Sequence, residues 1–289
     1  MSNVFQSSAK VGVFVDSNNI RMNGGYGMRY DVLREYAVRD GAELMRLNAY
    51  LSFDRQRAEE DEVYRRGQAN YTDNLRDFGY KVMQKKVRRY DNGDDRPVTK
   101  ADLDVEITVD MMRQCHNLDR VILATGNGDF VQLVSALQEM GKRVEILGFD
   151  NVSGDLRREG DQYVSGFLIP NLLPFRDRDK EKGEKTEKST EDEEWGEIGS
   201  RVRGVCYSHT GRGYGFIRYM RKISAKSWST NTRDEDSPYG SAFVHDSSLP
   251  EGTDARRLPS RSTVFEFDLA SGEEPEDTWQ AHNVTIASR

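Results

Sequence analysis

Cysteine is nearly absent: the 289 residues hold two, Cys115 and Cys206, with no CxxC and no Cys/His spacing. A disulfide framework and a zinc module are both excluded, and the two thiols are expected to be reduced. Long apolar runs are missing as well. No stretch approaches the roughly 20 residues of a spanning helix, and the opening segment MSNVFQSSAK has neither the basic start nor the apolar middle of a secretory leader. The expectation is a cytoplasmic protein without membrane contact. Nor is there a surplus of positive charge: 42 Lys and Arg stand against 49 Asp and Glu, a net charge of −7. A simple polycation that coats nucleic acid is thereby excluded, and any nucleic-acid surface has to be a local patch.

What is present is enough for a core. The chain is 36% hydrophobic, but 31% charged residues and a mean hydropathy of −0.78 imply that part of it is never buried. That part is legible at 176–194, RDRDKEKGEKTEKSTEDEE, where fifteen of nineteen residues are charged, both signs mix and nothing is aliphatic or aromatic. With no face to bury, it reads as a flexible linker. The organisation expected is a first domain over 1–175, a charged linker over 176–198 and a second domain over 199–289.

The first domain alternates short apolar runs with amphipathic stretches, the pattern of an α/β fold around a mainly parallel sheet. Strands are expected at Val11–Val15, Met45–Phe53, Lys81–Val87, Val121–Thr125 and Arg143–Phe149. Helices are expected at Asp31–Arg39, Gln56–Phe78, Ala101–Cys115 and Phe130–Met140. In such sheets a site forms beyond the carboxyl edge of the strands. Asp16 ends the first strand there, and Asp129 follows Val121–Thr125 in ATGNGDF. On a helical projection of 101–115, Asp102, Glu106, Asp110 and Arg113 share a polar face that reads as solvated. Asp104 instead falls in the apolar arc between Met111 and Cys115. A carboxylate aimed at the protein body is costly unless it is paired. Converging carboxylates repel unless a cation holds them, and hard oxygen ligands suit Mg²⁺ or Mn²⁺, ions that promote phosphodiester hydrolysis. Equally, Asp16 can open a turn with Ser17 and two asparagines, and Asp129 can cap the following helix.

Four blocks are more specific: Asp16-Ser-Asn-Asn19, Lys100-Ala-Asp-Leu-Asp104 with Asp110, Thr125-Gly-Asn-Gly-Asp-Phe130, and Ser153-Gly-Asp-Leu156 with Asp161. Together they resemble the LabA-like branch of the NYN domains, within the PIN-like nuclease superfamily. The resemblance spans most of residues 10–170. It implies a Rossmann-like fold and a metal-dependent ribonuclease site with Asp16, Asn19, Asp104 and Asp129 in an acidic pocket. Asn127 stands where the family carries Asp, and with one charge fewer it implies weaker metal binding. Lys85, Lys86, Arg88, Arg89, Arg96 and Lys100, with Tyr90, are either a basic flank for nucleic acid or a solvated loop. The place of Lys100 in the family block favours a phosphate contact.

The second domain has a different grammar. Short β-rich runs, RVRGVCY, YGFIRY, SAFVHD and TVFEFDL, are separated by turns, as in a small antiparallel barrel. Tyr214 and Phe216 share one sheet face, as do Phe243 and His245. The rings either fill the barrel or form an outward platform beside Arg212 and Arg218 on which bases stack. Gly211-Arg-Gly-Tyr-Gly-Phe-Ile217, Phe243-Val-His245 and Gln280-Ala-His-Asn-Val284 resemble the nucleic-acid-binding motifs and closing strand of cold-shock domains. That resemblance implies an OB-type barrel binding single-stranded RNA or DNA, with Tyr207, Tyr214, Phe216, Phe243 and His245 at surface positions. Tyr207 stands for the usual Trp, Ser208 and Asp246 for aromatics, and Arg221–Tyr239 is a longer loop than usual.

The reading is a metal-dependent ribonuclease in which Asp16, Asp104 and Asp129 hold the ion, Asn127 and Asn19 complete the site, and Lys100 steadies a phosphate. The competing reading is a catalytically inactive RNA-binding regulator, disabled at position 127. A nucleotide-binding regulatory protein is a third class.

Overall fold

A computed structural model describes residues 8–90, 98–100, 102–175, 195–260, 262–272 and 279–288, of which 88–90 and 98–100 by their backbone alone. The chain forms two compact units: one of residues 1–26 and 30–164, the other of 27–29 and 165–289.

The first unit is a Rossmann-like α/β layer structure. Its elements run β1 (Lys10–Asp16), α1 (Ser17–Met22), α2 (Tyr30–Ala37), β2 (Glu43–Phe53), α3 (Arg55–Glu60), α4 (Glu62–Asp77), β3 (Lys81–Lys86), the hairpin β4 (Arg88–Tyr90) and β5 (Val98–Lys100), α5 (Asp104–Gln114), β6 (Arg120–Ala124), α6 (Val131–Glu139), β7 (Arg143–Gly148), α7 (Gly154–Glu159) and β8 (Gln162–Ser165). The sheet order is β3-β2-β1-β6-β7-β8, with parallel pairing from β3 through β7. The chain leaves β1 in one direction through β2 and β3, then returns to the other side of β1 with β6. The crevice beyond β1 and β6 is therefore the topological switch point, where open α/β sheets place their ligands.

Burial explains the strand sequences. Both faces of the sheet are covered, so β1 and β6 are buried at nearly every position and read as continuous apolar runs rather than alternating ones. Phe14 from β1 packs in one core with Leu103, Ile107, Met111 and Cys115, spaced four apart along α5 and its two flanking residues, and with Leu133, Val134 and Leu137 of α6. Gly12 lies close under Leu118: an added Cβ would lie 2.6 Å from a Leu118 methyl, which would have to shift.

The second unit is a closed five-stranded barrel of order β10-β11-β13-β12-β9, made of β9 (Arg201–His209), β10 (Tyr214–Met220), β11 (Tyr239–His245), β12 (Val264–Ser271) and β13 (Trp279–Ser288). Four of its pairings are antiparallel and the closing one, β11 with β13, is parallel, which is an OB-like arrangement. Its interior holds Val202, Cys206, Ile217, Tyr219, Val244, Phe265, Phe267 and Leu269. Residues 165–175 group with this unit. Arg203 donates to the Leu173 and Pro174 carbonyls at 2.7 and 3.1 Å, and Phe175 stacks on Trp195 at 5.5 Å. The charged segment 176–194 lies outside the described residues. The end of the expected linker does not: Trp195 donates its indole N–H to the Met220 carbonyl at 2.8 Å.

Candidate active site and nucleic-acid face

The cleft at the switch point has a volume of about 310 Å³ and is lined by Asp16, Asn18, Asn19, Asp102, Leu103, Asp104, Asn127 and Asp129. Asp16 is the last residue of β1 and only 7% exposed. Its Oδ1 accepts the Asn19 amide at 3.1 Å, capping α1, and its Oδ2 accepts the Thr125 hydroxyl at 3.3 Å. Turn-opening and site membership thus coincide in one carboxylate. Burial pushes Asp16 above the usual carboxylate range, the Asn19 and Thr125 hydrogen bonds pull it down, and the charge of Asp102 adds to the rise.

The turn after β6 is built by asparagines. Asn19 Oδ1 accepts the Gly126 amide at 2.7 Å, fixing the start of the turn against α1. Asn127 uses both ends of its side chain: Oδ1 accepts the Asp129 amide at 3.1 Å, and Nδ2 donates to Asp104 Oδ2 at 2.8 Å. The capping role considered for Asp129 therefore falls to Asn127, which opens the turn at 128–130, and Asp129 itself is exposed at the rim.

Asp104 is the first residue of α5 and half-buried, as the apolar arc implied. Its carboxyl is pushed up to about 6, first by burial, then by the charges of Asp102 and Asp16, with the Asn127 amide pulling the other way. The expectation that Asp102, Glu106 and Asp110 form a solvated face holds for the exposure of Asp102, while Glu106 and Asp110 are half-buried and paired. Asp102 lies ahead of the helix, lines the cleft and accepts the Asp104 amide at 2.9 Å. Glu106 pairs with Lys85 at 2.8 Å, and Asp110 accepts the Tyr50 hydroxyl at 3.1 Å. Lys85 also donates to the Asp102 carbonyl at 2.6 Å, so it buttresses the cleft rather than waiting in a loop. Lys100 sits in β5 opposite Arg88; its side chain and those of Arg88, Arg89 and Tyr90 lie outside the described residues, as does Arg96.

The chemistry of the lining suits a hard divalent cation. Among the described residues it offers carboxylate and amide oxygens, no basic side chain, and a carboxyl raised by burial and by its like-charged neighbours. Among the described residues no three His, Cys, Asp or Glu side chains are drawn together as a formed metal cluster. The set is a loose one. The charges acting on Asp104 are those of Asp102 and Asp16, which brings Asp102 beside Asp16 and Asp104, while Asp129 lines the mouth. Asp102 and Asn18 were not singled out from sequence.

On the barrel, strand alternation turns Tyr214, Phe216 and Arg218 of β10 away from the core that holds Ile217 and Tyr219. In register opposite them on β11 stand His245, Phe243 and Ser241. Tyr214, Phe216 and Phe243 form one ring cluster with centroids 5.7–6.4 Å apart. Tyr207, 38% exposed, bonds Ser241 at 3.0 Å and carries the Arg218 guanidinium 5.5 Å from its ring. Arg212 is exposed in the β9–β10 turn. Asp246 meets His209 Nε2 at 2.8 Å; because His209 Nδ1 accepts the Gly211 amide, Nε2 is the donor and the acid is tied into the turn.

The low amplitude and bright protein LabA of Synechococcus elongatus is 26% identical over 163 residues, 54% of this chain and 83% of that protein. A crystal structure of a protein of unknown function from Vibrio parahaemolyticus is 26% identical and covers 60% of this chain and 100% of its own, with a TM-score of 0.46. Residues 10–170 match the NYN domain family, a span that holds all eight residues of the cleft, and the chain belongs to that family.

Proposed function

We propose that the protein is a metal-dependent ribonuclease that binds single-stranded RNA on its barrel and hydrolyses phosphodiester bonds at the cleft of its NYN domain. A nuclease-family role follows from the family itself. The observation that carries the finer reading is that Asp16, Asp102 and Asp104 line one cleft at the switch point, where burial first and then the charges of Asp102 and Asp16 raise the Asp104 carboxyl to about 6. Asp16 and Asp104, with Asp102 beside them and Asp129 at the mouth, would hold Mg²⁺ or Mn²⁺, whose chemistry there is to acidify a water and to offset charge on a leaving oxygen. Asn19 keeps the Gly126 turn in place, and Asn127 orients the Asp104 carboxylate by its amide. Lys100, by its place in the family block, is assigned a phosphate contact. Tyr207, Tyr214, Phe216, Phe243 and His245, with Arg212, are assigned to the RNA strand.

One observation favours the inactive regulator. The Asn127 amide already donates to Asp104, supplying part of the positive potential that a cation would bring. Cleavage of end-labelled single-stranded RNA by wild type and Asp104→Ala, with Mn²⁺, Mg²⁺ or chelator, separates the two. Metal-dependent products lost in the variant support the nuclease. RNA binding by both proteins without cleavage by either would leave the regulator.

A further inference from the structure

The inserted loop between β10 and β11 holds the most exposed aromatic ring among the described barrel residues, Trp228, at 70% exposure. An indole in water is an apolar surface of the kind that marks a binding site when it adjoins others. The loop is not a loose excursion. Tyr239 donates its hydroxyl to the Ser227 carbonyl at 2.7 Å, Ser237 bonds the Ser229 carbonyl at 2.7 Å, Arg218 donates to the Thr230 carbonyl at 3.3 Å, and Lys226 pairs with Asp236. The backbone on both sides of Trp228 is thus pinned to Arg218 and Tyr239, two residues of the outward face.

That face is a ladder. Its rows are Tyr214 with His245, Phe216 with Phe243, and Arg218 with Ser241; in the next pair Tyr239 stands beside a buried Met220. Successive rows are two residues apart, roughly 7 Å. Arg218 lies between the rings of Tyr207 and Tyr239, 5.5 Å from each, so the π surface continues from the three-ring cluster toward the loop. We propose that Trp228 is a further base-stacking residue, extending the path of a single strand from Tyr214, Phe216 and Phe243 past Arg218 to the inserted loop. The inference rests on the reading of the barrel as a single-strand binder. It favours nucleic acid over a protein partner because the backbone that carries the ring is tied to Tyr239 and Arg218, at the end of a row of rings, rather than to an aliphatic patch.

The test is fluorescence anisotropy of labelled oligouridines and oligodeoxythymidines of increasing length, titrated with the full chain as wild type, Trp228→Ala, Trp228→Phe and Phe216→Ala/Phe243→Ala. The expected result is that Trp228→Ala binds the longer strands about fivefold to tenfold more weakly, leaves the shortest binding strands unaffected, and is largely rescued by Trp228→Phe. The RNA and DNA series show whether the path discriminates the sugar. Weakening in Phe216→Ala/Phe243→Ala but none at any length in Trp228→Ala would overturn the inference alone, leaving the exposed indole to a protein partner. No binding of any strand by wild type would overturn the barrel reading and this one with it.

Discussion

At the scale of single residues, the cleft is a balance of like charges held by amides. Asp104 is raised in the folded state, so folding favours its protonated form. Its contribution to stability is complete below its ordinary value of 3.8 and is lost as the pH rises through about 6. Asp104→Asn is expected to raise the melting temperature by a few degrees at pH 7.5, about 1 kcal/mol after solvent screening, with a smaller gain at pH 5. Added Mn²⁺ should stabilise wild type and not the variant, which thermal denaturation reads without any assay of activity. Equal melting at both pH values would refute the charge balance. Position 127 gives the converse. Asn127→Asp keeps an acceptor for the Asp129 amide but replaces the donor 2.8 Å from Asp104 with a negative charge. In chelator the variant should lose about 1–2 kcal/mol, and in Mn²⁺ it should recover that loss and bind the ion more tightly than wild type. A loss indifferent to the ion would mean that Asn127 serves the turn alone.

At the scale of elements, the two glycines of opposite effect test the packing. Gly67 lies exposed inside α4 with nothing within 4 Å of an added Cβ, so Gly67→Ala should stabilise the first unit by about 0.5–1 kcal/mol through helix propensity. Gly204 in β9 is the reverse: a Cβ there would meet the Arg218 carbonyl oxygen at 2.5 Å. Gly204→Ala should split the β9–β10 ladder, and circular dichroism melts should show barrel loss with the α/β unit intact. The same element view explains what the sequence made legible. The alternation of strand and helix was readable because β1 and β6 are buried on both faces and α5 carries Leu103, Ile107, Met111 and Cys115 on one side. The stretch expected as one helix over 56–78 is α3 and α4, broken at Asp61, whose side chain caps α4; periodicity runs through such a break unseen. The six-residue α1 and α7 leave no periodic signal because each is held by its cap, Asp16 or Ser153, rather than by a long apolar face. The place of Asp102 departs from the helical projection for a related reason. A projection at 100° per residue assigns directions only inside a helix, and α5 starts two residues later. Lys85 pairs with Glu106 across twenty-one positions, a contact no local pattern encodes.

At the scale of the whole molecule, the charge bookkeeping bears on how RNA would be held. The barrel side of the chain, 195–289, is balanced at 12 basic against 13 acidic residues, and much of its basic charge is spent internally. Arg201 pairs with Glu266 and Asp268, and Arg203 with Glu266, on strands β9 and β12. Among the described residues, the cations placed by the rings are Arg218 and, in the adjoining turn, Arg212. Binding by stacking with so few phosphate contacts predicts a weak salt dependence. For two to four neutralised phosphates, log K against log salt should fall with a slope between about −1.4 and −3. Under the nuclease reading the two units then divide the kinetics. Phe216→Ala/Phe243→Ala should raise KM about tenfold or more with kcat nearly unchanged, because stacking holds substrate and transition state alike. Asp104→Ala should abolish kcat while leaving RNA affinity within about twofold. A slope steeper than about −5 would contradict the stacking account and move the grip to a basic surface, for which the segment around Lys86, Arg88 and Arg89 is the place to substitute next.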